Sequence, residues 1–329
     1  MRLLTATDIQ KVVPMSDAIA VVKHAFSELS SGLAQVPVRT GISTEADQGT
    51  ALYMPAYLSA SHCLGLKAVT VYPGNRDRGL PTIFAVVLLQ DASTGKPVAL
   101  LEGTYLTALR TGAATGAASE LLARQDARRL CLFGTGGQAP SQVEAVCAVR
   151  PIEAVWVCSR STSRAEQFIQ QIQAFAFARG VAFHVARNPH DAVQAADIII
   201  TATPARKPLF MAGDVRDGTH INAIGAFTPD MQEIPPEVVA RAKVVVDSRE
   251  ACMAEAGDIL IPLREGLISV SHIYAELGEL ASGQKPARTA VAEITLFKSV
   301  GNAVQDLAVG RLALERAERA GLGQVVDLH

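Results

Sequence analysis

The apolar run Leu130-Cys131-Leu132-Phe133 passes directly into Gly134-Thr135-Gly136-Gly137-Gln138-Ala139, and this junction restricts the fold more than any other part of the chain. A buried strand that ends in glycines and opens a helix has few structural solutions. Gly134 permits the tight turn, Gly136 lets a pyrophosphate approach the backbone, and Ala139 lets the helix pack close to the strand. A second apolar run, Ala154 to Cys158, follows and ends in Ser159-Arg160-Ser161. Strand, glycine turn, helix, strand is the opening unit of a dinucleotide-binding fold. The helix N-terminus presents unpaired N–H groups and a partial positive charge to the phosphates.

The end of that second strand selects the dinucleotide. A site for NADH usually carries an acidic side chain there, bonded to the ribose 2′-hydroxyl. This chain has Ser159, Arg160 and Ser161 instead, with Arg164 one turn on. Guanidinium and hydroxyl groups suit a 2′-phosphate, which a carboxylate would repel. NADPH is therefore the expected cofactor, with NADH possible because Arg160 favours a phosphate without forbidding its absence. The plainer alternative is that Arg160 and Arg164 are solvated residues at a helix start.

Bulk properties narrow the class. A chain of 329 residues suggests two domains, each large enough for its own core. It is 49% hydrophobic and 19% charged, an ordinary globular composition. A formal net charge of −2 gives no support for binding to nucleic acid or an anionic membrane. No apolar stretch reaches the roughly 18 residues of a membrane span. Asp8 and Lys11 interrupt the N-terminus before a signal-peptide core could form, so a cytoplasmic protein is expected. Five scattered cysteines form no CxxC pair, and Cys131 and Cys158 fall inside predicted buried strands. The His residues show no metal-binding spacing, so no metal is expected. No GxSxG nucleophile elbow is present.

The pattern of elements changes along the chain. Residues 15–31 have helical spacing, with Ser16 as the expected N-cap and Gly32 as the stop. From Val36 to Leu101 the pattern is of successive strands, with a hairpin turn at Asp91-Ala92-Ser93-Thr94-Gly95. Strands without intervening helices predict a mainly antiparallel sheet. Thr104 to Ala123 reads as a helix. From Leu130 to about residue 250, short buried strands alternate with helices: Ala154–Cys158, Ala182–Val185, Ile198–Ala202, His220–Ile224 and Val244–Val246. Ala292 to Ala320 reads as a long helix or a broken pair, with Gly301 and Gly310 as breaks. The expected fold class is α/β: a Rossmann-type doubly wound parallel sheet plus a second α+β domain with a mainly antiparallel sheet. Residues 116–295 would form the dinucleotide-binding domain. Residues 1–115 with 296–329 would form a substrate-binding and dimerisation domain.

Five separated segments carry a family resemblance: Gly79-Leu80-Pro81-Thr82, Thr107 to Ala113 (TALRTGA), Gly134 to Ala139, Ile221-Asn222-Ala223-Ile224-Gly225 and Phe297-Lys298-Ser299-Val300-Gly301. Their order and content resemble the ornithine cyclodeaminase/mu-crystallin family from about residue 2 to about residue 315. The resemblance implies roles. Arg39 would grip a substrate carboxylate, and Lys67 would stand beside the reacting carbon. Thr82, Arg110, Gly137, Gln138, Thr203, Ala223 and Ser299 would contact the cofactor, with Arg110 on the pyrophosphate. A homodimer joined through the N-terminal sheet is also implied. Physical chemistry agrees in part. A guanidinium suits bidentate carboxylate recognition, and desolvation in the apolar strand around Lys67 would lower its pKa. Read alone, Arg39 could be a solvated loop charge, Lys67 could snorkel from a strand end, and Arg110 could lie on a helix surface.

One departure from the family pattern bears on the reaction. Cyclodeaminases of the family carry an aspartate after the strand that is Ile221–Ile224 here. This chain reads Gly225-Ala226-Phe227-Thr228-Pro229, which puts Phe227 at the aspartate position. Phenylalanine cannot accept a proton, and Asp230 is not the equivalent residue. The resemblance then implies hydride transfer: an NAD(P)H-dependent reductase of small cyclic ketimine carboxylates. The expected reaction is 1-pyrroline-2-carboxylate to L-proline, with 1-piperideine-2-carboxylate to L-pipecolate as a six-membered counterpart. Lys67 would be catalytic, and Arg39, Lys67, Phe227 and Thr228 would line the substrate. Ornithine cyclodeaminase, alanine dehydrogenase and a non-enzymatic NADPH-binding crystallin-like protein are the alternatives.

Overall fold

The structure is a computed structural model and describes residues 1–327, apart from the Arg76 side chain. The chain begins with β1 (Arg2–Leu4), α1 (Ala6–Val12) and α2 (Met15–Ser30). Strands β2 (Ala34–Gln35), β3 (Thr40–Thr44), β4 (Gly49–Leu58), β5 (Cys63–Val71), β6 (Ile83–Asp91) and β7 (Pro97–Glu102) follow. Helix α3 (Gly103–Leu122) leads to β8 (Arg129–Phe133), α4 (Ala139–Val149), β9 (Ala154–Cys158), α5 (Thr162–Ile172) and β10 (Ala182–Val185). Next come α6 (Pro189–Ala195), β11 (Ile198–Thr201), β12 (His220–Ala223), α7 (Pro236–Arg241) and β13 (Lys243–Val246). The chain continues through α8 (Arg249–Glu255), α9 (Gly257–Arg264), β14 (Ile273–Glu276), α10 (Leu277–Ala281) and β15 (Thr295–Lys298). It closes with α11 (Ala303–Arg319) and β16 (Gln324–Val325). No helix among the described residues is long and apolar enough to cross a membrane.

Two compact units result: Met1–Thr111 together with the segment from Asn302 onward, and Gly112–Gly301. These bounds lie a few residues from the junctions expected at 115/116 and 295/296. Three expectations are corrected. Thr295–Lys298 is a strand, where a long helix or a broken pair over Ala292–Ala320 was expected; the helix begins at Ala303, just after the expected break at Gly301. Periodicity alone does not separate a four-residue buried strand from helix. Gly310 lies inside α11 and breaks nothing. Pro14, not Ser16, occupies the N-cap position of α2, and Gly32 ends that helix with φ +72°.

The first unit is built on a sheet ordered β16-β1-β7-β6-β5-β4-β2, with β3 on β4, antiparallel except for β1 beside β7. Side chains alternate between its faces. Met54, Lys67, Val87 and Leu101 are cross-strand partners on one face. They are buried, on the side that α11 covers. Tyr53, Ala68 and Val86 form the adjoining row and point the other way.

The second unit is a parallel sheet in the order β10-β9-β8-β11-β12-β15-β13-β14. Its inner strands β11, β12 and β15 are buried on both faces. Leu130, Leu132, Val155, Val157, Ile198 and Ile200 pack into one apolar cluster, and Cys131, Phe133, Ile199 and Ile221 into another. Strand order reverses about β8, where β9 lies on one side and β11 on the other. In open parallel sheets, ligands sit at the carboxyl ends beside such a switch point. The glycine turn after β8 occupies that place.

Candidate active site

In the first unit the site begins with a close approach. A Cβ on Gly65 would fall on the Leu88 carbonyl and lie 2.9 Å from Leu307 Cδ2. Only glycine lets α11 pack this tightly on β5. Asn302 caps α11 by accepting from the Val304 amide, and Gln305 reaches back to the Asn302 amide at 3.0 Å. This capping box places Gln305 and Asp306 in the first helical turn, where the helix dipole favours a carboxylate.

Asp306 joins two cations. Its Oδ2 lies 2.9 Å from Lys67 Nζ, and its Oδ1 accepts from Arg110 Nε at 3.0 Å. Arg110 also donates to Gln305 Oε1 at 2.5 Å. Lys67 is 1% exposed, Arg110 5% and Asp306 0%. Lys67 thus does not snorkel, and Arg110 is not on a helix surface. Burial pushes the Lys67 ammonium down to about 8; Arg110 and Arg39 add to the fall, and Asp306 opposes it. Arg39, half-buried in the loop before β3, is therefore close enough to act on Lys67 electrostatically. Two cations against one carboxylate leave a buried positive charge over. Uncompensated buried charge costs several kcal/mol, a cost that a bound anion would offset. Gln305 Nε2 and Thr107 Oγ1 are buried without a hydrogen-bond partner among the described residues. Thr107 is three residues from Arg110 on α3, which puts the two on one helix face.

Asp306 and Gln305 were not among the residues singled out from sequence. The signal was present: Asn302-Ala303-Val304-Gln305 is a capping-box pattern directly after the expected break at Gly301.

The second unit supplies the cofactor cradle. Gly134 adopts φ +105°, and a Cβ there would lie 2.5 Å from the Ala202 carbonyl oxygen. Gly136 and Gly137 face open space, and Gln138 Oε1 is buried without a partner among the described residues. Bare backbone at a helix start beside an unpaired polar atom fits a pyrophosphate. The Ser159 hydroxyl accepts from the Ser161 amide, and the Ser161 hydroxyl caps α5 through the Arg164 amide. The Arg160 and Arg164 side chains are exposed. Thr203 is held by Glu233 and Ser299 by Asp247, two carboxylates that the sequence did not single out. Ala223 ends β12 and is buried. Thr82, in the other unit, precedes β6 and is half-buried; its carbonyl accepts from the Tyr72 amide.

Phe227 is 42% exposed in the loop after β12. Thr228 donates its hydroxyl to Asp230 at 2.6 Å, and Asp230 pairs with Arg206, also at 2.6 Å. Asp230 is thus engaged on the surface and does not take over from the missing aspartate.

Residues 1–321 match the ornithine cyclodeaminase/mu-crystallin family. The chain belongs to that family. Within it, the Delta(1)-pyrroline-2-carboxylate reductase of Bacillus cereus is 44% identical over 328 residues, 99% of this chain and 100% of the relative. The Thermococcus litoralis enzyme of that name, solved with NADH and L-proline, matches with a TM-score of 0.94 at 43% identity. That match covers 99% of this chain and 100% of the other. An archaeal alanine dehydrogenase dimer with bound NAD gives 0.92 at 36% identity, covering 100% and 99%. The expected fold class is borne out over the whole chain. Nicotinamide cofactor use, expected from the glycine turn, is borne out for the family, since both solved members hold the cofactor.

Proposed function

We propose that this protein is an NAD(P)H-dependent reductase of cyclic ketimine carboxylates that converts 1-pyrroline-2-carboxylate to L-proline. 1-Piperideine-2-carboxylate, giving L-pipecolate, would be its six-membered substrate. The observation that carries this reading is the buried positive charge left over at Lys67, Asp306 and Arg110, which calls for a carboxylate ligand. Similarity to pyrroline-2-carboxylate reductases over the full chain supports it.

Arg39 and Arg110 hold the substrate carboxylate in this reading. Because Arg110 is tied to Asp306 and Gln305, we place it with the substrate rather than on the pyrophosphate. The reduced cofactor supplies hydride to the C=N carbon. Lys67 carries a proton at neutral pH and gives it to the ring nitrogen or keeps the imine protonated, so imine, hydride and proton sum to the amine. Phe227 forms an apolar wall that excludes water and so disfavours imine hydrolysis. Thr228 lies beside it. Gly134, Gly136, Gly137 and Gln138 seat the pyrophosphate, and Thr82, Thr203, Ala223 and Ser299 the rest of the dinucleotide. Arg160 and Arg164, with Ser159 and Ser161, favour NADPH over NADH.

A homodimer is part of the proposal. On the sheet face turned away from α11, Phe84, Val86 and Tyr53 are 48%, 43% and 41% exposed. Ile42 shares a cross-strand row with Phe84 through Ala51 and Thr70. An apolar strip of this kind suits a second copy of the chain, and the archaeal alanine dehydrogenase is a dimer. Unpaired cysteines and a reduced cofactor suit a cytoplasmic setting.

The test is nicotinamide oxidation by the purified protein with 1-pyrroline-2-carboxylate, using NADPH and then NADH. Rapid oxidation is expected, faster with NADPH. Oxidation only with pyruvate plus ammonia, or ornithine conversion without net oxidation, would overturn the assignment.

A further inference from the structure

One buried carboxylate ties together the loops that leave β11 and β12. Glu233 is fully buried. Its Oε1 accepts from the Thr203 amide at 2.7 Å and the Thr203 hydroxyl at 2.8 Å. Its Oε2 accepts from the Thr201 hydroxyl at 3.0 Å, the Gly225 amide at 2.8 Å and the Ala226 amide at 3.0 Å. The packing is close: a Cβ on Gly225 would lie 2.7 Å from Oε1. Asp258 holds the Glu233 and Ile234 amides at 2.7 and 3.0 Å and pairs with Lys298 Nζ at 2.9 Å. Lys298 ends β15, one residue before Ser299. The network therefore spans the carboxyl ends of three neighbouring strands, β11, β12 and β15.

A carboxylate in the interior is tolerated only when donors converge on it, and here five do. Burial and the nearby Asp258 push the Glu233 carboxyl up, while Lys298 and the Thr203 donors oppose that push. An amide of the same shape cannot replace it, because its NH₂ would face amide or hydroxyl donors on whichever side it lay.

We propose that Glu233 is a positioning residue for the nicotinamide end of the cofactor, setting the spacing between the Thr203 loop and the Ala223–Gly225 loop. This rests on the reading that Thr203, Ala223 and Ser299 contact the dinucleotide. Glu233, fully buried, acts through these loops.

The experiment is Glu233→Gln in the full chain. NADH affinity would be read by nicotinamide fluorescence, and turnover of 1-pyrroline-2-carboxylate with NADH and with NADH deuterated at the transferred position. A weakened seat should raise the NADH Kd about tenfold, the loss expected when buried donors are left unpaired. It should also enlarge the isotope effect, because hydride transfer becomes slower than release. A merely structural role would lower kcat through loss of folded protein while Kd and isotope effect stayed at wild-type values, and that result overturns the proposal. Should Glu233→Gln fail to fold, Thr201→Val removes one donor to Oε2. It should raise the NADH Kd by about threefold, and an unchanged Kd would again overturn the proposal. If the wild-type protein binds NADH but reduces no imine, the functional assignment fails, yet the fluorescence arm still decides the role of Glu233.

Discussion

The two units bury charge to opposite ends. In the first, Lys67 and Arg110 share the Asp306 carboxylate, and the two cations outnumber it by one positive charge. In the second, Lys298 cancels Asp258, and the Glu233 carboxylate is met by five neutral donors. A charge met by converging neutral donors, as at Glu233, holds backbone in place. A surplus of the first kind costs free energy until something supplies the opposite sign, and in the proposed reading the substrate carboxylate does so.

Substitutions can break or sharpen this contrast. The largest effect is expected from Lys67→Ala, which should lower kcat/KM for imine reduction by about 10²–10⁴-fold, the range for losing a general acid. NADH affinity, measured by fluorescence, should stay unchanged. A shift in NADH affinity instead would mean that Lys67 also seats the cofactor. Asp306→Asn should come next, because it leaves Lys67 and Arg110 buried against each other. A loss of about 3–5 kcal/mol in urea unfolding is expected, and a loss below about 1 kcal/mol would show the cluster already reached by water.

The pH dependence follows from the same cluster. In the proposed reading Lys67 supplies the proton, and its pKa is lowered to about 8. Imine reduction should therefore be level below that pH and fall as pH rises through it. Because Asp306 opposes the lowering, the limb should move to lower pH in any Asp306→Asn protein that folds. A limb that stayed in place would assign it to another group. The smallest effect is expected from Arg160→Ala. It should weaken NADPH by about tenfold, the worth of one charged hydrogen bond, and leave NADH and stability unchanged. Equal losses for both cofactors would remove Arg160 from 2′-phosphate recognition.

Much of the second unit was legible because its signals are local. Ala154–Cys158 and Ala182–Val185 are uninterrupted apolar or alternating runs, and the structure places both strands on those residues. The glycine turn showed itself through a backbone requirement at Gly134. The first unit was harder to read. Lys67 drew notice as a charge in an apolar strand, yet its partner Asp306 lies at the far end of the sequence, and no spacing rule connects them. Thr295–Lys298 was missed because four buried residues carry too little period to identify a strand. Glu233 and Asp247 were missed because a carboxylate that binds backbone amides leaves no mark in composition or spacing. Five family motifs gave the site its outline, and tertiary packing gave it Asp306, Gln305 and Glu233.

The capping box at Asn302 has a consequence in time. Lys67 and the helix that brings its counter-charge are separated by about 240 residues. At roughly 5–20 residues per second of synthesis, the lysine strand waits on the order of tens of seconds for Asp306 to be made. During that wait the whole parallel-sheet unit, Gly112–Gly301, has emerged and has every strand it needs. The nascent chain thus completes the parallel-sheet unit first, while the unit that holds Lys67 stays unfinished until the last helix, Ala303–Arg319, is translated. Premature termination before Asn302 would release the parallel-sheet unit without the carboxylate that joins Lys67 and Arg110.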